Sequence, residues 1–162
     1  MADAAGMGST PLASILIPAY NADKWIGETI RSALAQTWPC TEIIVVDDGS
    51  TDETLAIARR SESADVKVVS TRHAGAAAAR NTALSLSQGA YIQWLDADDL
   101  LSPTKVECQM RAAEQAASPR VLLSSGWVHF HHRPRNARIV PTALWHDLSP
   151  TEWLVRKMSD NL

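Results

Sequence analysis

The sequence predicts an α/β fold, a mostly parallel sheet with helices on both faces, and three observations carry that prediction. Apolar runs of strand length alternate with segments whose apolar residues recur at helical spacing. Acidic groups, Asp47-Asp48 and Asp96-Ala97-Asp98-Asp99, stand at the ends of two of the runs, where parallel sheets bind ligands. The 162 residues, 46% of them hydrophobic, suffice for one compact core and are few for an enzyme with two substrates.

The first expected strand is Ser14 to Ile17, stopped by Pro18. Trp25, Ile26, Ile30, Ala33 and Leu34 mark a helix that Trp38-Pro39 ends, because the residue before a proline is pushed out of the helical region. Glu42 to Val46 is a β-branched strand leading into Asp47-Asp48-Gly49-Ser50. Ser50 and Glu53 have the spacing of a capping box, which predicts a helix from there to about Arg60. Val66 to Val69 is a third strand, Ala76 to Leu86 a helix closed by Gly89, and Tyr91 to Leu95 a fourth strand. Ser102-Pro103 opens another helix, Val121 to Phe130 reads as a further strand, and Ser149-Pro150-Thr151-Glu152 starts a last helix ending near Met158.

Composition narrows the partners. A net charge of -3 with both signs interspersed leaves no basic stripe for nucleic acid. No apolar stretch is long enough to span a bilayer. Residues 1–12 read as a disordered tail rather than a secretion signal, and residues 13–162 as one domain. Cys40 and Cys108 have no metal-ligand spacing and fit free thiols in a reducing cytoplasm, the inner face of a membrane included.

The acidic clusters carry the chemistry. Asp96 and Asp98, two apart at a strand end, can point to one side of the sheet and suit Mg²⁺ or Mn²⁺ held together with substrate phosphates. The alternative is an acidic turn that caps the next helix. At Asp47-Asp48 a carboxylate can accept a base N–H, with Ser50 or Thr51 adding hydroxyl contacts; equally, Asp48 and Ser50 can build the turn.

Four motifs then occur in order: Ser-Ile-Leu-Ile-Pro-Ala-Tyr-Asn from Ser14, Ile-Ile-Val-Val-Asp-Asp-Gly-Ser-Thr-Asp from Ile43, Ala-Arg-Asn from Ala79 and Leu-Asp-Ala-Asp-Asp from Leu95. Together they resemble glycosyltransferase family 2, over roughly Ser14 to Met110. The resemblance implies a GT-A fold, Rossmann-like, a nucleoside-diphosphate sugar as donor with UDP favoured, and inversion at the sugar carbon. By position it assigns Pro18, Tyr20 and Asn21 to the first donor loop, with the tyrosine against the base. It gives Asp48 the uracil-type base, Asp98 the metal, and Asp96 the ribose or a metal-bound water. Arg80 has two readings: neutralising diphosphate, or bracing Asp96 or Asp47.

One part of the family pattern is missing. The family's catalytic base follows the acidic triplet by several tens of residues, and Asp147, Glu152 and Asp160 do not stand in a segment resembling it. They read as helix-cap or surface groups. The expectation is an amino-terminal donor-binding part, with the acceptor (glycan, lipid or protein) unidentified and a non-catalytic nucleotide-sugar-binding or interaction module as the alternative. His129 and His131 share a strand face, but Arg133 and Arg135 disfavour a cation beside them and His132. Trp127, Trp145 and Trp153 read as packing residues rather than acceptor platforms. A phosphate-receiver domain would put its acidic pair after the first strand, and a dehalogenase-like phosphatase needs a threonine close behind its aspartates; neither fits.

Overall fold

The structure is a computed structural model, and it describes residues 10–116, 121–126, 128 and 148–159. Four parallel strands form a sheet in the order β3-β2-β1-β4: β1 Ala13–Ala19, β2 Thr41–Asp47, β3 Val66–Ser70 and β4 Tyr91–Trp94. The helices α1 Ile26–Leu34, α2 Thr54–Arg59 and α3 Ala76–Leu86 connect them.

Right-handed crossovers determine which face each helix covers. The chain steps from β1 to β2 to β3 in one direction, so α1 and α2 lie on one face. It then returns past β1 to β4, so α3 lies on the other. Leu16, Ile44 and Val46 meet Ala79, Ala83 and Leu86 on the α3 side. Ile15, Ile17, Ile43 and Val45, of opposite pleat parity, are buried on the α1 and α2 side, as are Ile26, Ile30 and Ala58 of the two helices. Small residues on α3 let it sit close to the sheet. Leu34 and Trp25, expected on the apolar stripe of α1, are instead half-exposed.

Several expected boundaries move, each for a local reason. Pro18 does not stop β1, which continues to Ala19. Leu16 offers its carbonyl to Leu95 on the β4 side, so the missing N–H of Pro18, of the same parity, points past the last β4 pair at Trp94. The Ser50–Glu53 capping box does not form. The Ser50 hydroxyl accepts the Asn21 amide at 3.0 Å, and Asp52 accepts the Thr54 amide at 2.9 Å where α2 begins. Gly89 does not close α3, whose C-cap is Ser87; a Cβ on Gly89 would lie 2.4 Å from the Ser14 hydroxyl oxygen. Pro11 and Leu12, assigned to the tail, accept hydrogen bonds from the Trp38 indole and the Tyr91 amide.

The chain divides into two units, Met1–Glu107 and Cys108–Leu162, and α4 (Lys105–Gln115) runs across the division. In the second unit α5 spans Pro150–Ser159, starting where the sequence placed it, and a capping box forms there. The Ser149 hydroxyl donates to Glu152 at 2.6 Å and accepts the Glu152 amide. Residues 121–126 and 128 are not in a strand, contrary to the expected Val121–Phe130 element. Trp127, His129, Phe130, His131, His132, Arg133, Arg135, Trp145, Asp147 and Asp160 lie outside the described residues. Cys40 and Cys108 are free thiols. Among the described residues, no helix is long and apolar enough to cross a membrane.

Candidate functional site

The loops after β1, β2, β3 and β4 meet at the carboxyl ends of the strands and enclose a cleft of about 390 Å³. Pro18, Tyr20, Asn21 and Asp48 line it from one direction, and Arg80, Asp96 and Asp98 from another. The expected donor and metal residues therefore share one cavity.

The loop after β1 is tied down by polar contacts across almost thirty residues of sequence. Asn21 adopts φ +48°, a left-handed conformation that asparagine tolerates better than most residues. Its amide donates to Ser50, and its side-chain oxygen accepts the Thr51 amide at 2.9 Å. Ala22 donates to the buried Thr54 hydroxyl at 2.7 Å, and Asp23 to Asp52 at 3.2 Å. Burial pushes the Asp52 carboxyl up, but its hydrogen bonds from Thr54 and the Asp23 amide outweigh that and hold it below its ordinary value. Ser50 and Thr51, considered as ligand contacts, are thus engaged with Asn21.

The two aspartates after β2 have distinct roles. Asp47, 1% exposed, accepts the Ser50 amide at 3.3 Å and the Ser70 hydroxyl at 3.0 Å, so it builds the turn and holds β3. Asp48, 2% exposed, reaches the loop after β3: Oδ1 accepts the Ala74 amide at 2.9 Å and Oδ2 the Gly75 amide at 2.8 Å. The His73 Nδ1 lies 2.9 Å from Oδ2 and 3.0 Å from the Asp48 carbonyl oxygen. Both neighbours are acceptors, so Nδ1 carries a proton. The Ala74 amide foremost, then the Gly75 amide and His73, hold the Asp48 carboxyl below its ordinary value against the opposing effect of burial. An ionised carboxylate offers about four acceptor positions. Three are taken, and the remaining one is on Oδ1.

His73 was not singled out in the sequence, where no motif marks it. It also stacks on Tyr20, ring centroids 4.3 Å apart and planes inclined by 24°. Gly49, at φ +69°, lets the β2 turn press against this segment, since a Cβ there would lie 2.8 Å from the His73 nitrogen.

At the end of β4 the geometry differs. Asp96 and Asp98 are exposed and flank the buried Ala97. Arg80 donates to Asp96 Oδ1 at 2.7 Å, with the two side chains 41% and 56% exposed. Of its two readings, the brace on Asp96 is the contact observed. The Thr29 hydroxyl of α1 donates to the Ala97 carbonyl at 2.8 Å and holds the acidic loop against the helix. Among the described residues no group of three or more His, Cys, Asp or Glu side chains could hold a metal ion. A cation here would have two carboxylates from the chain and the rest of its ligands from phosphate and water, the usual arrangement for Mg²⁺.

Comparison with known proteins bears on the fold and the family. The Escherichia coli chondroitin synthase is 43% identical over 107 residues, 65% of this chain and 16% of that protein. S. aureus TarS 1-349 in complex with UDP superposes with a TM-score of 0.60 at 30% identity, over 64% of this chain and 32% of that one, and it is also solved with UDP-GlcNAc. The mannosyltransferase PcManGT from Pyrobaculum calidifontis, in complex with GDP-Man and Mn2+, superposes with a TM-score of 0.60 at 29% identity, over 80% and 38% of the two chains. The chain thus spans well under half the length of each of these proteins. Its four-stranded parallel sheet is the Rossmann-like core of such GT-A transferases. Residues 14–157 match the family described as Glycosyl transferase family 2, a match that takes in all four strands but for Ala13 and both acidic loops; the chain belongs to this family of sugar-transferring enzymes.

Proposed function

We propose that the cleft binds a nucleoside-diphosphate sugar, UDP-linked, and that the chain supplies the donor-binding part of an inverting transferase. The observation that carries this is the arrangement of one cleft with an aromatic face and a buried carboxylate on one side and two exposed carboxylates on the other. The base lies against Tyr20, with Pro18 lining the same cleft, and gives its ring N–H to Asp48 Oδ1. Asn21 keeps that loop in place. Asp98 and Asp96 hold Mg²⁺ or Mn²⁺ over the diphosphate, with Asp96 also within reach of the ribose and Arg80 setting the Asp96 carboxylate. The cation, when bound, stabilises the negative charge that develops on the departing nucleoside diphosphate. Glu152 is committed to the cap of α5, so it is not assigned as the base for the acceptor, a glycan, lipid or protein hydroxyl.

The experiment is calorimetric titration of the 162-residue chain with UDP, with and without Mn²⁺, beside Asp98→Ala. Saturable binding that needs the metal and is lost in the variant is expected. A folded chain that binds none of UDP, GDP and dTDP would end the donor-site reading.

A further inference from the structure

Among the described residues, two of the large apolar side chains that are exposed line the cleft, Tyr20 and Trp25. Tyr20 has a partner in His73 and a role at the base. Trp25 is 53% exposed and has none of these. Its backbone explains why it is held there. The Trp25 amide donates to the Ala22 carbonyl at 3.0 Å, and the Trp25 carbonyl accepts the Thr29 amide at 3.1 Å. The Thr29 hydroxyl, one helical turn on, is the group that binds the Ala97 carbonyl between Asp96 and Asp98. A single hydroxyl thus links the turn that carries the indole to the loop that carries the aspartates, while Tyr20 is stacked on the histidine that contacts Asp48.

A nucleoside-diphosphate sugar offers a group for each of these features: a flat base, a charged diphosphate, and a hexose whose C–H face is apolar. We infer that Trp25 is the platform for the donor hexose, its indole face covering the C–H face of the ring as the sugar leaves the metal-side carboxylates. An indole supplies a large rigid apolar face at low entropic cost, which is why aromatic side chains serve in such contacts. The hydrogen bonds that Trp25 makes in this turn use its main chain and not its indole, so replacing the ring leaves them in place. The inference rests on the donor-site reading, and the test separates the two.

Wild type, Trp25→Ala and Trp25→Phe are each titrated, with Mn²⁺ present, against UDP, UDP-glucose and UDP-GlcNAc, and thermal unfolding is recorded for all three chains. Trp25→Ala is expected to keep its UDP affinity and its unfolding midpoint, and to lose roughly three- to tenfold in affinity for at least one UDP-hexose. Trp25→Phe is expected to restore most of that loss. An equal loss for UDP and both UDP-hexoses, or no loss for any of them, overturns the inference while leaving the donor site standing. A wild-type chain that binds none of the three removes the UDP-linked donor, and the platform with it.

Discussion

The two acidic strand ends resemble each other in sequence and differ in almost every physical respect. After β2, Asp47 and Asp48 are buried, and five donors from three segments of chain converge on their oxygens. After β4, Asp96 and Asp98 are exposed, and the contact seen on Asp96 is that of the half-exposed Arg80. A buried carboxylate engaged by amides and hydroxyls is part of the scaffold and has few acceptor positions left for a ligand, one in the case of Asp48. A carboxylate in water keeps its charge available for a cation. Position at a strand end is therefore not enough to assign a ligand; the count of donors already present decides.

The contrast can be broken or sharpened by measurement. Asp47→Ala should cost about 2–3 kcal/mol of unfolding free energy, because the Ser50 amide and the Ser70 hydroxyl lose a charged acceptor inside the protein. Urea denaturation measures this, and a loss under 0.5 kcal/mol would mean that water replaces the carboxylate. Asp98→Ala should do the reverse: stability within about 0.5 kcal/mol of wild type, and a drop of at least tenfold in Mn²⁺-dependent UDP affinity, equal to about 1.4 kcal/mol. If Asp98→Ala unfolds the chain instead, the distinction between the two ends is wrong.

Acidification addresses the same contrast through Asp48. Its carboxyl sits below the ordinary value of 3.8 when folded, so its contribution is complete above that pH and is lost as pH falls through the lower folded value. Asp52 has the same sign. Stability measured from pH 6 down to pH 2 should fall more steeply in wild type than in Asp48→Asn, and parallel curves would count against a charged Asp48 holding the loop. The smallest effect is expected for Arg80→Ala, at most about 0.5 kcal/mol in stability, since the pair with Asp96 is solvent-screened. A larger loss in the same urea titrations would show that the acidic loop depends on it.

Much of this arrangement was legible in the residues. The alternation of strand-sized runs with segments at helical spacing, Ile26, Ile30 and Ala33 among them, gave the layer order, and the two acidic loops lie at the carboxyl ends of the strands, where the sequence put them. What could not be read was pairing at long range. Ser50 has the spacing to cap its own helix, yet its hydroxyl is drawn to Asn21, 29 residues earlier, where a left-handed turn presents an amide. The same blindness hid His73, which no local pattern distinguishes and which matters only because Asp48 and Tyr20 arrive beside it from other strands. Pro18 misled for a related reason: a proline stops a strand only if its missing N–H faces a partner, and whether it does depends on where a fourth strand ends.

The ties from Asn21 to Ser50 and Thr51, from Ala22 to Thr54, and from Asp48 to Ala74 and Gly75 join three loops that the chain order keeps apart. Because these links belong to the fold itself, the walls on the Asp48 side are already ordered when a ligand arrives. Association then requires little loss of freedom from the protein there, and most of the entropic cost falls on the ligand's own rotors and on the groups near Asp98. Such a cleft resembles a mould more than a hand, with its adaptability confined to the solvent-facing end.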